Sequence, residues 1–298
     1  MGANSKVLVI GGNGYIGSRL MEQLLSMGRP ATAVDNFIRP DSARNASYPI
    51  VTSAYQDLSL DFLAQFDDCV WLAGHASVPQ SVSDPKGALR NNFFDLIDLR
   101  ARFRGRLIYA SSGSVYSRDK PEECSEESYL ANPSNIYDYT KTAFDLYVAS
   151  QKIDAICLRF GTVNGPSPRL RSELMLNRMV SDGLANGTVT VRNCRVWRPI
   201  LFIDDLVRGL VTLIDSDCRS GIFNMCSVNL TIREYANAVA HLTKANVQVL
   251  EDTPTYNFIM SAQKFCDTFD FEFTGNLYPI VESIIEFYKR AGCGATGT

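Results

Sequence analysis

Short apolar runs alternate with amphipathic stretches through the first half of the chain, a pattern that predicts βαβ units around a parallel sheet. Runs at 6–10, 31–35, 69–73, 106–110 and 154–159 read as strands, and 15–27, 86–101 and 135–150 read as helices. Gly28 and Pro30 stop the first helix; Asp84-Pro85 starts the second, with an aspartate as cap and a proline at its first position. Beyond residue 160 the alternation breaks at Gly165, Pro166 and Pro168. A helix at 173–185 and a strand at 188–192 are expected there, then a strand running into a helix over 198–213, and helices at 231–243 and 279–290. The tail 292–298 is expected to fray.

Composition narrows the class. Of 298 residues, 46% are hydrophobic and 20% charged, an ordinary folded balance, and the net charge of −3 comes without a block of like charges. That argues against nucleic-acid or membrane-surface binding, which draws its affinity from clustered Lys and Arg. Lys6-Val7-Leu8-Val9-Ile10 runs straight into a glycine loop and reads as a buried strand rather than a leader. No apolar run is long enough to span a bilayer, and Lys6 stands where a myristoylation signal needs Ser or Thr. Eight cysteines form no C-x-x-C pair and only His75 and His241 accompany them, so no metal site is expected. Buried free thiols in a reducing cytoplasm are the expectation.

The first strand leads into Gly11-Gly12-Asn13-Gly14-Tyr15-Ile16-Gly17 and then a helix. Gly11 permits the tight turn, Gly14 lets backbone approach a pyrophosphate, and Gly17 lets helix pack on strand; the helix N-terminus offers N–H groups to the anion. Asp35 ends the second strand, where a carboxylate accepts from both ribose hydroxyls and repels a 2′-phosphate, favouring NAD over NADP. Arg39 and Arg44 follow closely and pull the other way. The fold expected is α/β, a Rossmann-type doubly wound parallel sheet over 1–165 with a smaller mixed substrate-binding region over 166–298. The two are interleaved, because the strand at 198–205, within about 196–215, is expected to return to the main sheet.

Tyr137 and Lys141 lie four apart on a helix, one turn from each other, with Ser111-Ser112 at the end of strand 106–110. A nearby ammonium stabilises a phenolate, so Tyr137 can take a proton from a sugar hydroxyl while hydride leaves the same carbon; Ser112 can bond the oxygen as charge develops. Tyr116 and Tyr139 read as packing residues.

These motifs, with Asp35-Asn36, Leu72-Ala73-Gly74, Asn91, Tyr109-Ala-Ser-Ser-Gly-Ser-Val-Tyr116, Leu158-Arg-Phe-Gly-Thr-Val-Asn-Gly-Pro166 and Trp197-Arg-Pro-Ile-Leu-Phe-Ile-Asp-Asp205, resemble the NAD-dependent epimerase/dehydratase family. These are the extended short-chain dehydrogenases of nucleotide sugars. The likeness runs over roughly 6–290. It implies Ser112, Tyr137 and Lys141 as catalytic residues, Asp57 and Leu58 beside an adenine, Ala73 and Gly74 under the cofactor, and Asn91 near it. It also implies Arg198 on a substrate diphosphate, with Asn177 a second contact; Arg192 reads rather as a surface charge. Phe93, Ile97, Phe144 and Tyr147 stand on two helices that the family pairs into a four-helix bundle, which implies a homodimer.

Family members that dehydrate sugars carry a carboxylate pair right after the catalytic Ser or Thr, and decarboxylases keep a Glu at the second position; here stand Gly113 and Ser114. That leaves a 4-epimerase with resident NAD or a 4-keto reductase using NADH or NADPH. The stretch His75-Ala-Ser-Val-Pro-Gln-Ser81, with Ser77 at its centre, resembles the substrate-side loop of 4-epimerases and favours the first; a non-catalytic NAD-binding scaffold is the alternative of another class. His75 reads equally as a substrate contact or as a satisfied, partly buried histidine. Pro254 stands where relatives place a diphosphate-clamping arginine, so either Arg171 or Arg192 substitutes or the nucleotide is held more loosely.

Overall fold

Val7, Leu8, Val9 and Ile10 are all buried, the burial on both faces that a central parallel strand requires. They form β1 (Val7–Ile10), joined by β2 (Ala31–Asp35), β3 (Ile50–Thr52), β4 (Asp68–Trp71), β5 (Arg106–Ser112), β6 (Ala155–Phe160) and β7 (Gly221–Met225). The seven make one sheet in the order β7-β6-β5-β4-β1-β2-β3, with β1 parallel to β2 and β4, β4 to β5 and β2 to β3. This computed structural model describes residues 5–37, 47–116, 122–151 and 153–291; Arg39, Arg44 and the 292–298 tail lie outside them.

The chain divides into two compact units. The first takes residues up to Val115, Leu130–Arg159 and Val207–Phe223. Alternate strand residues Leu8, Ile10, Cys69, Trp71, Leu107, Tyr109, Ala155 and Cys157 share one face and one core with Leu96, Leu99, Phe103, Phe144 and Val148 from the helices. α1 (Tyr15–Ser26) buries Leu20, Met21 and Leu24 at helical spacing, and Gly28 ends it with φ +68°. α2 (Ile136–Gln151) carries Phe144 and Val148 into the core. The helix expected at 86–101 is broken into Pro85–Leu89, a π turn Arg90–Phe94 and Asp95–Arg102. The wide turn holds Asn91 and Asn92, a local distortion of the kind that marks functional sites. Of the apolar residues expected to face a partner, Phe144 is buried, and Phe93, Ile97 and Tyr147 pack partly buried against the same core.

The second unit takes Tyr116–Tyr129, Phe160–Leu206 and the chain from Asn224 onward. The strand Trp197–Phe202 pairs in parallel with Thr162–Asn164 and antiparallel with Val228–Thr231 in a separate three-stranded sheet. The expectation that 198–205 joins the main sheet is therefore corrected: residues 203–205 already begin the helix Ile203–Asp215, and β7 is the late strand that joins the main sheet. The core here gathers Leu176, Val180, Ile200, Phe202, Tyr235, Val239, Val281 and Ile284. Asp205 pins the chain before the last helix, accepting from the Gly275 N–H at 2.9 Å and the Thr274 N–H at 3.1 Å.

Candidate active site

The chain leaves β1 for β2 on one side and crosses back to β4 on the other, so the space beyond the carboxyl ends of β1 and β4 is a topological switch point, where open α/β sheets take ligands. The residues there are small because the backbones nearly touch. Gly11 has φ +82°, and a Cβ on it would lie 2.6 Å from the Ala73 nitrogen after β4. A Cβ on Gly17 would lie 2.2 Å from the Gly11 carbonyl. Gly14 occupies the N-cap of α1, so the helix opens on backbone N–H groups with no side chain in the cap. Asn13 is buried, Tyr15 is buried behind the loop, and Ile16 is half-buried.

Asp35 closes the other wall. Its Oδ2 accepts from the Asn13 N–H at 3.0 Å and its Oδ1 from the Phe37 N–H at 2.9 Å, which fixes the carboxylate at the end of β2 beside Asn36. Asp57 ends a 3₁₀ turn, Tyr55–Asp57, and Leu58 after it is buried. After β4, the Ala73 carbonyl accepts from Trp71 Nε1 at 2.9 Å, and Gly74 has φ +136° with no room for a Cβ against Asn92 Oδ1. Leu72 stays in register by donating to the Ile10 carbonyl at 2.8 Å. The cradle and the anchored carboxylate fit an adenine dinucleotide, held by Gly11 to Gly17 at the pyrophosphate and Asp35 at a ribose.

Ser112 ends β5 and Ser114 follows in a 3₁₀ turn, Gly113–Tyr116. The two hydroxyls lie 2.9 Å apart, and the Ser114 N–H reaches Ser112 Oγ at 3.2 Å. Lys141 is buried and donates from Nζ to the Ala110 carbonyl at 2.8 Å, two residues before Ser112. Its Nζ stands 5.9 Å from the centre of the Tyr137 ring. Burial pulls the Lys141 ammonium down to about 8, against the nearby negative charge of Asp145. The structure thus brings Lys141 to both Tyr137 and the end of β5. Tyr139 departs from the packing role expected of it and is exposed, whereas Tyr116 is buried and bonds Asn224 at 2.9 Å.

His75 is buried, with Nε2 3.0 Å from Asp84 and Nδ1 3.2 Å from Asn91. Both ring nitrogens are occupied, the arrangement of a satisfied histidine. Asp84 is held below the usual carboxylate range by the Gly87 N–H and by His75. Ser77 caps the helix Val78–Ser83 by accepting from the Gln80 N–H at 3.3 Å. One residue was missed by sequence reasoning. Asn92 is fully buried; its Oδ1 accepts from the His75 N–H at 3.0 Å, and its Nδ2 donates to the His75 carbonyl at 3.0 Å and to Thr140 Oγ1 at 3.2 Å. It ties the loop after β4 to α2 at the residue before Lys141. The doublet Asn91-Asn92 was the available signal, but only the π turn decides which of the two turns inward.

In the second unit, Arg198 donates to the Tyr256 carbonyl and to Thr255 Oγ1, and lies 5.8 Å from the Tyr256 ring centre. Pro254 is thus next to the segment that Arg198 holds. Arg192 reaches the Glu251 carbonyl at 2.8 Å, and Arg171 pairs with Glu173 at 2.7 Å. Asn177 is fully buried, accepting from the Gly165 N–H and donating to the Arg171 carbonyl, each at 3.0 Å. It holds the 165–171 loop. Among the described residues, no group of three or more His, Cys, Asp or Glu is placed to hold a metal ion, and no helix is long and apolar enough to cross a membrane.

The sequence profile of the NAD dependent epimerase/dehydratase family matches residues 7–226. The chain belongs to that family. UDP-glucuronic acid decarboxylase 1 of Xenopus tropicalis is 25% identical over 233 residues, 73% of this chain and 55% of that protein. UDP-glucose 4-epimerase 3 of Oryza sativa subsp. japonica is 28% identical over 184 residues, 53% of this chain and 49% of that protein. The chain thus spans about half the length of these two relatives. Among solved structures, UDP-glucuronic acid 4-epimerase from Bacillus cereus in complex with UDP-glucuronic acid and NAD has a TM-score of 0.83 at 22% identity, covering 96% of this chain and 99% of the other. The NDP-hexosamine 5,6-dehydratase TunA has a TM-score of 0.85 at 19% identity, covering 96% and 98%. The two structural likenesses place this family member on the same fold as a 4-epimerase and a dehydratase.

Proposed function

We propose that the protein is an NAD-dependent nucleotide-sugar 4-epimerase that oxidises C4 to a transient 4-keto sugar and returns hydride to the opposite face. When bound, NAD supplies the hydride acceptor and then the donor. Tyr137 takes the O4 proton as the C4–H bond breaks and gives it back after the keto sugar has turned over. Lys141, buried and charged, favours the phenolate that this step needs. Ser112, oriented by Ser114, donates to O4 as charge develops on it. Gly11 to Gly17, Asp35, Asn36, Asp57, Leu58, Leu72 to Gly74 and Asn91 are assigned to the cofactor, and His75, Ser77, Gly113, Ser114, Asn177 and Arg198 to the sugar nucleotide, His75 and Asn177 by holding its loops.

The observation that carries this reading is the pair at 113–114. Ser114 spends its hydroxyl on Ser112, where a dehydratase or decarboxylase needs a carboxylic acid, so the site has a base for O4 and no proton carrier there for a second bond. A 4-keto reductase would use the same residues; Asp35, set against a 2′-phosphate, speaks against one that uses NADPH, and an NADH-dependent reductase would keep it. The reading includes a homodimer through the α2 face, where Leu146 and Tyr139 are exposed, and a reducing cytoplasm for the free thiols. Denaturing the purified protein and identifying the released nucleotide by mass tests it. Near-stoichiometric NAD is expected. A protein that emerges empty and binds NADH or NADPH reversibly overturns the epimerase in favour of the reductase.

A further inference from the structure

Four titratable side chains lie fully buried beneath Lys141 and take no part in the chemistry above: Tyr109, Asp145, Cys157 and Arg159. Asp145 is their centre. Its Oδ1 accepts from the Tyr109 hydroxyl and from Cys157 Sγ at 3.0 Å, and its Oδ2 accepts from Arg159 Nε at 2.8 Å. The carboxylate thus accepts from a hydroxyl, a thiol and a guanidinium, with Arg159 as its ion-pair partner. Burial and the Asp145 charge push the Tyr109 phenol and the Cys157 thiol well up, so both stay protonated. Asp145 follows Lys141 by four positions, one turn along the same face of α2. Tyr109, which it grips, immediately precedes Ala110, the carbonyl that anchors Lys141.

We propose that Asp145, fixed by Tyr109 and Arg159, is a positioning residue that holds the charge and the aim of Lys141 for proton transfer at Tyr137. A buried ion pair adds little stability over apolar packing of the same volume. Its worth here lies in what the carboxylate does to the ammonium above it. Burial works against the charge on Lys141, and Asp145 is the chief group that opposes burial. Among the described residues, Asp145 is the carboxylate whose charge acts on the Lys141 ammonium. β5 brings Tyr109 and β6 brings Cys157, both neutral, together with the cation Arg159. The segment 78–94 brings neutral Asn92 and an Asp84 already engaged by His75 and the Gly87 N–H. On α2 itself, Asp138 accepts from the Asn135 side chain through Oδ2 at 2.6 Å at the helix start.

This inference rests on the assignment of Tyr137 and Lys141 to the chemistry, and the two fail separately. In the NAD-loaded enzyme, kcat is measured against pH for wild type, Asp145→Asn and Asp145→Glu. Loss of the Lys141 proton sets the alkaline limb. Asp145→Asn, which keeps shape and removes charge, is expected to move that limb down by about one pH unit, a loss of about tenfold in kcat on its alkaline side, with NAD content and KM unchanged. Asp145→Glu is expected to restore the limb. If Asp145→Asn fails to fold because Arg159 is stranded, Asp145→Asn/Arg159→Met removes both charges and is expected to show the same lowered limb. A folded, NAD-loaded variant whose limb stays in place, or whose kcat falls equally at every pH, overturns the proposal. Turnover surviving in Tyr137→Phe instead overturns the catalytic assignment, whatever Asp145 does.

Discussion

Lys141→Met is expected to make the protein inactive and more stable. The wild-type ammonium is buried, and burial pulls it from 10.5 to about 8. At about 1.4 kcal/mol for each pH unit, keeping that charge inside costs the folded state about 3 kcal/mol at pH 7. Methionine has similar length and no charge, so the substitution removes the cost. It also removes the hydrogen bond to the Ala110 carbonyl, for which about 1 kcal/mol is subtracted. The net expectation is a gain of about 2 kcal/mol at pH 7, a rise of about 4–8 °C in melting temperature for a protein of this size. The sign reverses the usual effect of pH on a paired charge. Below pH 8 both folded and unfolded chains hold the proton and the wild type bears the whole cost. Between pH 8 and 10.5 the folded state releases it first, so wild-type stability rises with pH and the advantage of the variant shrinks. The assay is thermal melting of both proteins, freed of nucleotide so that cofactor binding does not add to either, at pH 7, 8.5 and 9.5. A variant less stable than wild type at pH 7, or a difference independent of pH, would show that the buried Lys141 charge carries no such cost.

Other positions give sharper yes-or-no outcomes. Gly17→Ala places a methyl 2.2 Å from the Gly11 carbonyl, so NAD affinity measured by calorimetry is expected to fall at least tenfold, with a loss of about 1–3 kcal/mol in stability; unchanged binding would show the loop yields freely. Asp35→Ala frees the Asn13 and Phe37 N–H groups and removes the charge facing a 2′-phosphate; the ratio of NAD to NADP affinity is expected to drop by about tenfold or more. Asn92→Leu strands both backbone groups of His75, and a urea titration is expected to show a loss of about 2–4 kcal/mol along with reduced kcat. Leu146→Glu puts a charge on the exposed apolar face of α2, and light scattering is expected to give a monomer mass where wild type gives a dimer.

Much of the first unit was legible because its constraints are local. The strand before the glycine loop has to be apolar on both sides, the loop has to lack side chains, and Tyr137 and Lys141 have to share a helix face; each is a matter of residue type at fixed spacing. What escaped depends on pairing at long range. Trp197–Phe202 ends in the buried run Pro199–Phe202, as a strand of the main sheet would, and nothing in its own residues says that it pairs with Thr162–Asn164 rather than joining that sheet. The period of 86–101 is helical throughout, so the π turn that brings Asn92 under His75 left no mark in the pattern. His75 was ambiguous for the same reason, since its two partners lie 9 and 16 residues away. The buried set around Asp145 draws on β5, α2 and β6, and only the sheet order makes those three neighbours.

An internal, redox-neutral inversion at C4 is read out by following a UDP-hexose deuterated at C4 by NMR in the presence of the enzyme. The C4 epimer is expected with deuterium retained at C4, formed with no added cofactor and no net change in reduced nucleotide. Deuterium lost from C4, or product formed only as NADH or NADPH is consumed, would contradict it.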